Sequence, residues 1–150
     1  MKRQTIICLP ILLFSQVSVG QKGLTKAAAR YVPGVSWRAK SVVTADFTCS
    51  GRMQTAILGV SKTEIVVAVF LNGTNNRPEV LRYSARVRNP VTAALKAEGL
   101  DFDPKEDSGY DLPGLQRSMT CKGLNLSDGE IDSAHIYWNR VSRRLEDWVR

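Results

Sequence analysis

The chain has a single histidine, His135, and only three cysteines, and aromatic residues make up 7% of its 150 positions. One histidine excludes a histidine-rich metal centre, and neither cysteine nor histidine recurs at metal-ligand spacing. No nucleophile or cofactor motif occurs. No internal repeat covers the chain, no segment is of low complexity, and no linker marks off a second domain. The longest flanked apolar run, residues 5–14 (TIICLPILLF), is too short to span a bilayer, which takes roughly 20 residues.

What is present begins with that run. Met1-Lys2-Arg3-Gln4 is basic, the apolar run follows, and Ser15 to Gly20 is small and polar, with Ser18 and Gly20 at the −3 and −1 positions before Gln21. This order predicts a signal peptide over 1–20 and a single periplasmic or secreted domain over 21–150, with no integral membrane span after cleavage. Cys8 leaves with the signal, inside the apolar run and after Ile7, not in a lipid-anchor setting. Cys49 and Cys121 remain, and an exported chain with two cysteines predicts one disulfide. Closing so long a loop stabilises by about 4 kcal/mol on the chain-entropy account. Loss of Lys2 and Arg3 lowers the net charge from +7 but leaves the chain basic.

Hydrophobic periodicity predicts an α+β, mainly β fold: an antiparallel meander of six to seven strands with two short helices. Lys26–Tyr31 is expected as a helix with Thr25 as its N-cap and Pro33-Gly34 as its stop. Ser36–Phe47 alternates as one long strand, Thr55–Val60 is a second, and the nearly continuous apolar run Glu64–Leu71 is the central one. Val80–Val87 alternates with Leu81, Tyr83, Ala85 and Val87 inward, and Arg82, Ser84, Arg86 and Arg88 outward. Asn89-Pro90 and Gly99 bracket an expected helix over 91–98. Leu100–Leu115 reads as a long acidic loop. Ser118–Cys121 is a short strand, and Ala134–Trp138 with Arg144–Val149 forms a final hairpin.

Between the first two strands lies Asp46-Phe47-Thr48-Cys49-Ser50-Gly51-Arg52-Met53-Gln54. Its frame, Asp46-x-Thr48-x-Ser50-Gly51-x-x-Gln54 after Ala45-Asp46-Phe47 and before Thr55-Ala56-Ile57-Leu58, resembles an FG-GAP or VCBS type repeat over Trp37–Phe70. The resemblance implies a strand–loop–strand unit whose loop holds calcium, with Asp46, Thr48, Ser50 and Gln54 at the ligand positions. A single copy does not imply the propeller that stacked repeats build. Calcium takes six to eight oxygen ligands, several of them carboxylates, and here only Asp46 supplies one. The residues therefore point to no cofactor, and to a hairpin in which the disulfide replaces the metal as staple. Asp46 then bonds backbone N–H groups of the turn, and Gly51 supplies a backbone angle other residues avoid.

Two further constellations remain. Asp128-Gly129-Glu130-Ile131-Asp132 with His135 and Tyr137 offers an alternative as a small secreted hydrolase, in which Asp132 or Glu130 orients His135 as general base. Arg82, Arg86, Arg88, Arg140, Arg143 and Arg144 are candidates for a basic binding surface. No nucleic-acid recognition motif accompanies them, so an acidic partner, protein or otherwise, fits an exported chain better. Their alternative role is as solvated outer faces that keep strand edges apart. The sequence thus favours an exported, non-enzymatic binding module, by class analogy inhibitor-like or immunity-like.

Overall fold

Glu64–Phe70 is apolar at every position after its first, and a strand of that kind requires cover on both faces. The computed structural model, which describes residues 17–109, 111–129 and 132–149, provides it. Ile65, Val67 and Val69 point into a core between two sheets, while Ala68 and Phe70 point to a helix on the other side. The segment predicted as signal peptide lies outside the described residues up to residue 16, as does Glu130. Among the described residues no helix is long and apolar enough to cross a membrane.

In chain order the elements are α1 (Val17–Tyr31), β1 (Ser36–Trp37), β2 (Val43–Ala45), β3 (Gln54–Val60), β4 (Glu64–Phe70), β5 (Glu79–Ser84), β6 (Ala94–Leu100), α2 (Pro104–Ser108), β7 (Ser118–Ser127), β8 (Ala134–Asn139) and β9 (Arg144–Val149). One sheet runs β1-β3-β4-β5, with β2 beside β1 on the same edge of β3, and the other runs β6-β7-β8-β9; every pairing is antiparallel. The described residues therefore form a mainly β fold with two helices, the class that the periodicity predicts. Ala45, Phe47, Leu58 and the inward residues of β4 meet Leu95, Leu124, Leu126, Ile136 and Leu145 from the facing sheet. Each large side chain so buried contributes about 1.5–3 kcal/mol. Outside the first sheet, Leu24 and Ala28 of α1 pack on Ile57, Ala68 and Phe70. These helix contacts all follow Gly20.

Several local expectations need correction. Helix α1 begins well before Thr25, whose hydroxyl donates to the Lys22 carbonyl (2.9 Å) instead of capping; the stop at Pro33-Gly34 stands, with Gly34 at φ 78°. The predicted strand 36–47 is broken by a single 3-10 turn at Ala39–Ser41. The break is tolerated because the Ser41 hydroxyl accepts from the Leu58 N–H (2.9 Å), which would otherwise lack a partner. The predicted helix over 91–98 is strand β6. Asn89 does act as a turn residue, its side chain accepting from the Val91 N–H (2.9 Å), but only one turn follows, closed by Ala93 N–H to the Asn89 carbonyl (3.1 Å). Helix propensity in ALKAEG loses to pairing with β7, which buries Leu95 against Leu124 and Leu126.

The expected acidic loop is a packed cover. Asp103 caps α2 by accepting from the Lys105 and Glu106 N–H groups, and Gly109 ends it at φ 72°. Leu100, Phe102, Leu112 and Leu115 close over Cys121, Tyr137 and Trp148 on the outer face of the second sheet. Strand β7 is longer than the predicted 118–121 segment. At the end of β5 the alternation stops at Ser84, where the chain turns. Val87 is exposed and Arg88 is buried, the reverse of the expectation.

Candidate functional site

The loop 46–54 is held by its own side chains. Asp46 accepts from the Ser50 N–H (3.1 Å) and the Gly51 N–H (2.6 Å), and Gly51 takes φ 76°. Gln54, only 2% exposed, crosses the loop: its Oε1 accepts from the Phe47 N–H (2.6 Å), and its Nε2 donates to Thr48 Oγ1 (2.9 Å) and Ser50 Oγ (3.3 Å). Thr48 Oγ1 in turn donates to Ser50 Oγ (2.9 Å). The residues at the would-be ligand positions thus bond one another and the backbone. The disulfide Cys49–Cys121 pins the loop tip to β7, with its Cα atoms 5.1 Å apart, and the Lys122 N–H donates to the Asp46 carbonyl (3.0 Å) beside it. Cys49 itself sits at φ 54°, a conformation non-glycine residues rarely adopt.

The turn between β8 and β9 is built as tightly. Asn139, buried at 4% exposure, accepts from the Val141 N–H (2.8 Å) and the Ser142 N–H (3.1 Å) and donates to Glu146 (2.8 Å). Arg140 N–H donates to the Gly114 carbonyl (3.0 Å). These two pieces of the chain, far apart in sequence, face one open cavity of about 530 Å³, lined by Thr48, Ser50, Arg52 and Gln54, by Leu71 and Asn72, and by Trp138, Arg140 and Arg143. Three arginines line it and, among the described residues, no acidic one does. Among the described residues Arg52, Arg140 and Arg143 make no ion pair.

The six predicted surface arginines therefore divide. Arg140 and Arg143 line the cavity, and Arg144 starts β9 beside them. Arg82 is paired to Glu64 (2.5 Å), and Arg86 is exposed in the turn after β5. Arg88 is not a surface residue: it is 5% exposed, donates to the Asp132 carbonyl (2.9 Å) and lies 5.7 Å from the Tyr83 ring centre. Burial, and then the nearby Asp147 carboxylate, pushes the Tyr83 hydroxyl well above its ordinary range.

The predicted catalytic cluster assembles differently. His135 and Tyr137 share the outer face of β8, as their alternation requires. The carboxylate at His135 belongs to Glu98 of β6, with Oε2 2.8 Å from Nδ1, and not to Asp132, whose carbonyl serves Arg88. Asn125 donates to the same Glu98 oxygen (3.4 Å), and the imidazole stacks on Trp148 at 4.3 Å. Burial raises the Glu98 carboxyl above its ordinary value, against the lowering effect of His135 and then Asn125. Tyr137 donates to Glu146 (3.3 Å), and burial, then that carboxylate, pushes it up to about 12. A phenol so held is protonated at neutral pH. An adjoining cavity, lined by Lys96, Asn125, Asp128 and Ser133 among others, does not include His135.

Arg52 and Glu98 are the residues the sequence reading did not single out. Arg52 follows the turn glycine, in a stretch read for oxygen ligands. Glu98 was hidden in the expected helix; as a strand, residues 94–100 alternate and put Glu98 on the face of His135. No family model, curated protein or solved structure matches the chain.

Proposed function

We propose that this chain is an exported, non-enzymatic binding module that recognises a partner through an acidic surface. One observation carries the reading: Arg52, Arg140 and Arg143 line one open cavity in which, among the described residues, no acidic side chain takes part. Like charges gathered in this way repel, and an incoming anion relieves the repulsion and is drawn in from a distance. The same positive surroundings disfavour a cation at Thr48, Ser50 and Gln54. The loop 46–54 is then an FG-GAP or VCBS type unit whose metal has been replaced by a disulfide and a glutamine. Export rests on the basic, apolar and small-residue order of residues 1–20 together with the Cys49–Cys121 bridge.

A second reading, a small hydrolase, is favoured by the Glu98–His135 hydrogen bond, which orients an imidazole as a general base requires. The test compares the mature chain with a variant carrying Arg52→Gln, Arg140→Gln and Arg143→Asn as immobilised bait for extracts of the periplasm or medium. Salt-sensitive retention of a partner that the variant loses is the expected result. Equal retention by the variant, or a hydrolytic activity that His135→Asn abolishes, would overturn the proposal.

A further inference from the structure

The lining of the arginine cavity is chemically one-sided. The hydrogen bonds run from Gln54 Nε2 to Thr48 Oγ1 and from Thr48 Oγ1 to Ser50 Oγ, with Gln54 also donating directly to Ser50. Ser50 Oγ thus accepts twice from the protein, and its own hydrogen has no acceptor among the described residues. Accepting polarises a hydroxyl toward donation. Arg52, Arg140 and Arg143 line the same cavity, and a guanidinium fork matches a carboxylate with two parallel N–H donors. The other walls, Leu71 and Trp138, are half-buried apolar side chains packed on the central core. On the same two loops Met53 and Val141 stand 68% and 79% exposed, next to Arg52 and Arg140. Arginine, tryptophan and methionine are the side chains that protein interfaces concentrate.

We infer that the cavity is a receptor for a peptide segment of a partner protein, one that places carboxylate side chains against Arg52, Arg140, Arg143 and the Ser50 hydroxyl and an apolar neighbour against Trp138 and Leu71. The inference rests on the acidic-partner reading above and names its ligand chemistry. A protein segment is chosen over an anionic glycan because Met53 and Val141, next in sequence to Arg52 and Arg140, expose apolar surface on the same two loops, against which a glycan has little to set. This is recognition of an acidic motif by an arginine cluster.

The experiment uses the oxidised mature chain, labelled for amide NMR, which detects binding into the millimolar range. The probes are a capped hexapeptide in which two aspartates flank a leucine between glycines, the same peptide with asparagines, heparin, and inorganic sulfate. Saturable shifts at the amides of 50–52 and 140–143 are expected with the aspartate peptide and not with the asparagine one. Arg52→Gln, Arg140→Gln and Arg143→Asn should each weaken binding roughly tenfold, as loss of a charged hydrogen bond does. Asparagine is used at Arg143 because that backbone sits at φ 56°. Ser50→Ala should weaken binding with the dispersed spectrum kept. Shifts at these amides with heparin or sulfate but not with the aspartate peptide would overturn the peptide inference and leave the acidic-partner reading standing. Shifts with none of the probes would overturn both.

Discussion

Breaking the Cys49–Cys121 bridge perturbs this fold most directly. The bridge closes a separation of 72 residues, and the entropy of closing a loop of that length corresponds to about 4.4 kcal/mol at 25 °C. Two local effects modify the value. Cys121 is 2% exposed beside Leu100 and Tyr137, so Cys121→Ala exchanges one small buried side chain for another and leaves little void. Cys49 occupies a left-handed backbone, which costs a non-glycine residue about 1–2 kcal/mol. Cys49→Ala keeps that strain and Cys49→Gly releases it. The paired variant Cys49→Ala/Cys121→Ala should therefore lose about 4 kcal/mol, and Cys49→Gly/Cys121→Ala about 1 kcal/mol less. The assay is equilibrium urea unfolding, with the oxidised wild type as reference. With a slope of about 2 kcal/mol per molar, the alanine pair should unfold at about 2 M lower urea. A midpoint moved by less than about 0.5 M at unchanged slope would refute the reasoning. It would mean that the unfolded chain without the bridge already retains structure that limits its entropy.

Gln54→Ala should cost about 2–3 kcal/mol in the same assay, because it strands the buried Phe47 N–H and removes two donors from the loop hydroxyls. Gly114→Ala should destabilise by at least about 1 kcal/mol, because the position is left-handed. Its Cβ would lie 2.0 Å from Asn139 Oδ1, and amide NMR should show the 140–143 turn disturbed as Asn139 shifts. For Glu98 the folded-state carboxyl lies above its ordinary value of 4.5, so the native state holds that proton more tightly than the unfolded chain. Stability from this group is complete below 4.5 and is lost as pH rises through the folded-state value. The stability of wild type relative to Glu98→Gln should accordingly fall over that window, and a difference independent of pH would contradict the burial of Glu98.

The sequence pattern was most informative where one physical requirement acted alone. Residues 64–70 had to be covered on both faces because nearly all are apolar, Gly34 had to end a helix, and His135 had to oppose Ile136. The disulfide followed from the cysteine count. The pattern misled where tertiary pairing competed with local preference. Residues 91–98 have helical propensity and a capping asparagine, but β7 lies beside them with its own apolar face to cover. The break at 39–41 could not be read because its compensation, Ser41 serving Leu58, joins residues in different strands. Arg88 looked exposed because the alternation of β5 was carried past Ser84. The cavity was legible in fragments only: Arg140 and Arg143 in one list of basic residues, Thr48, Ser50 and Gln54 in a metal-ligand frame, and nothing to say that the two meet.

That meeting has a consequence for how the protein is made. One wall of the cavity is encoded before residue 55 and pinned by Cys121, while Arg140 and Arg143 of another wall come from a turn encoded much later. A growing polypeptide can pair β3 with β4 long before the β8–β9 turn exists. The arginines assemble only after the β8–β9 turn has been synthesised, so a fragment that stops short of that hairpin carries the first sheet without the cavity. An assembled cavity thereby reports that synthesis has passed the β8–β9 turn.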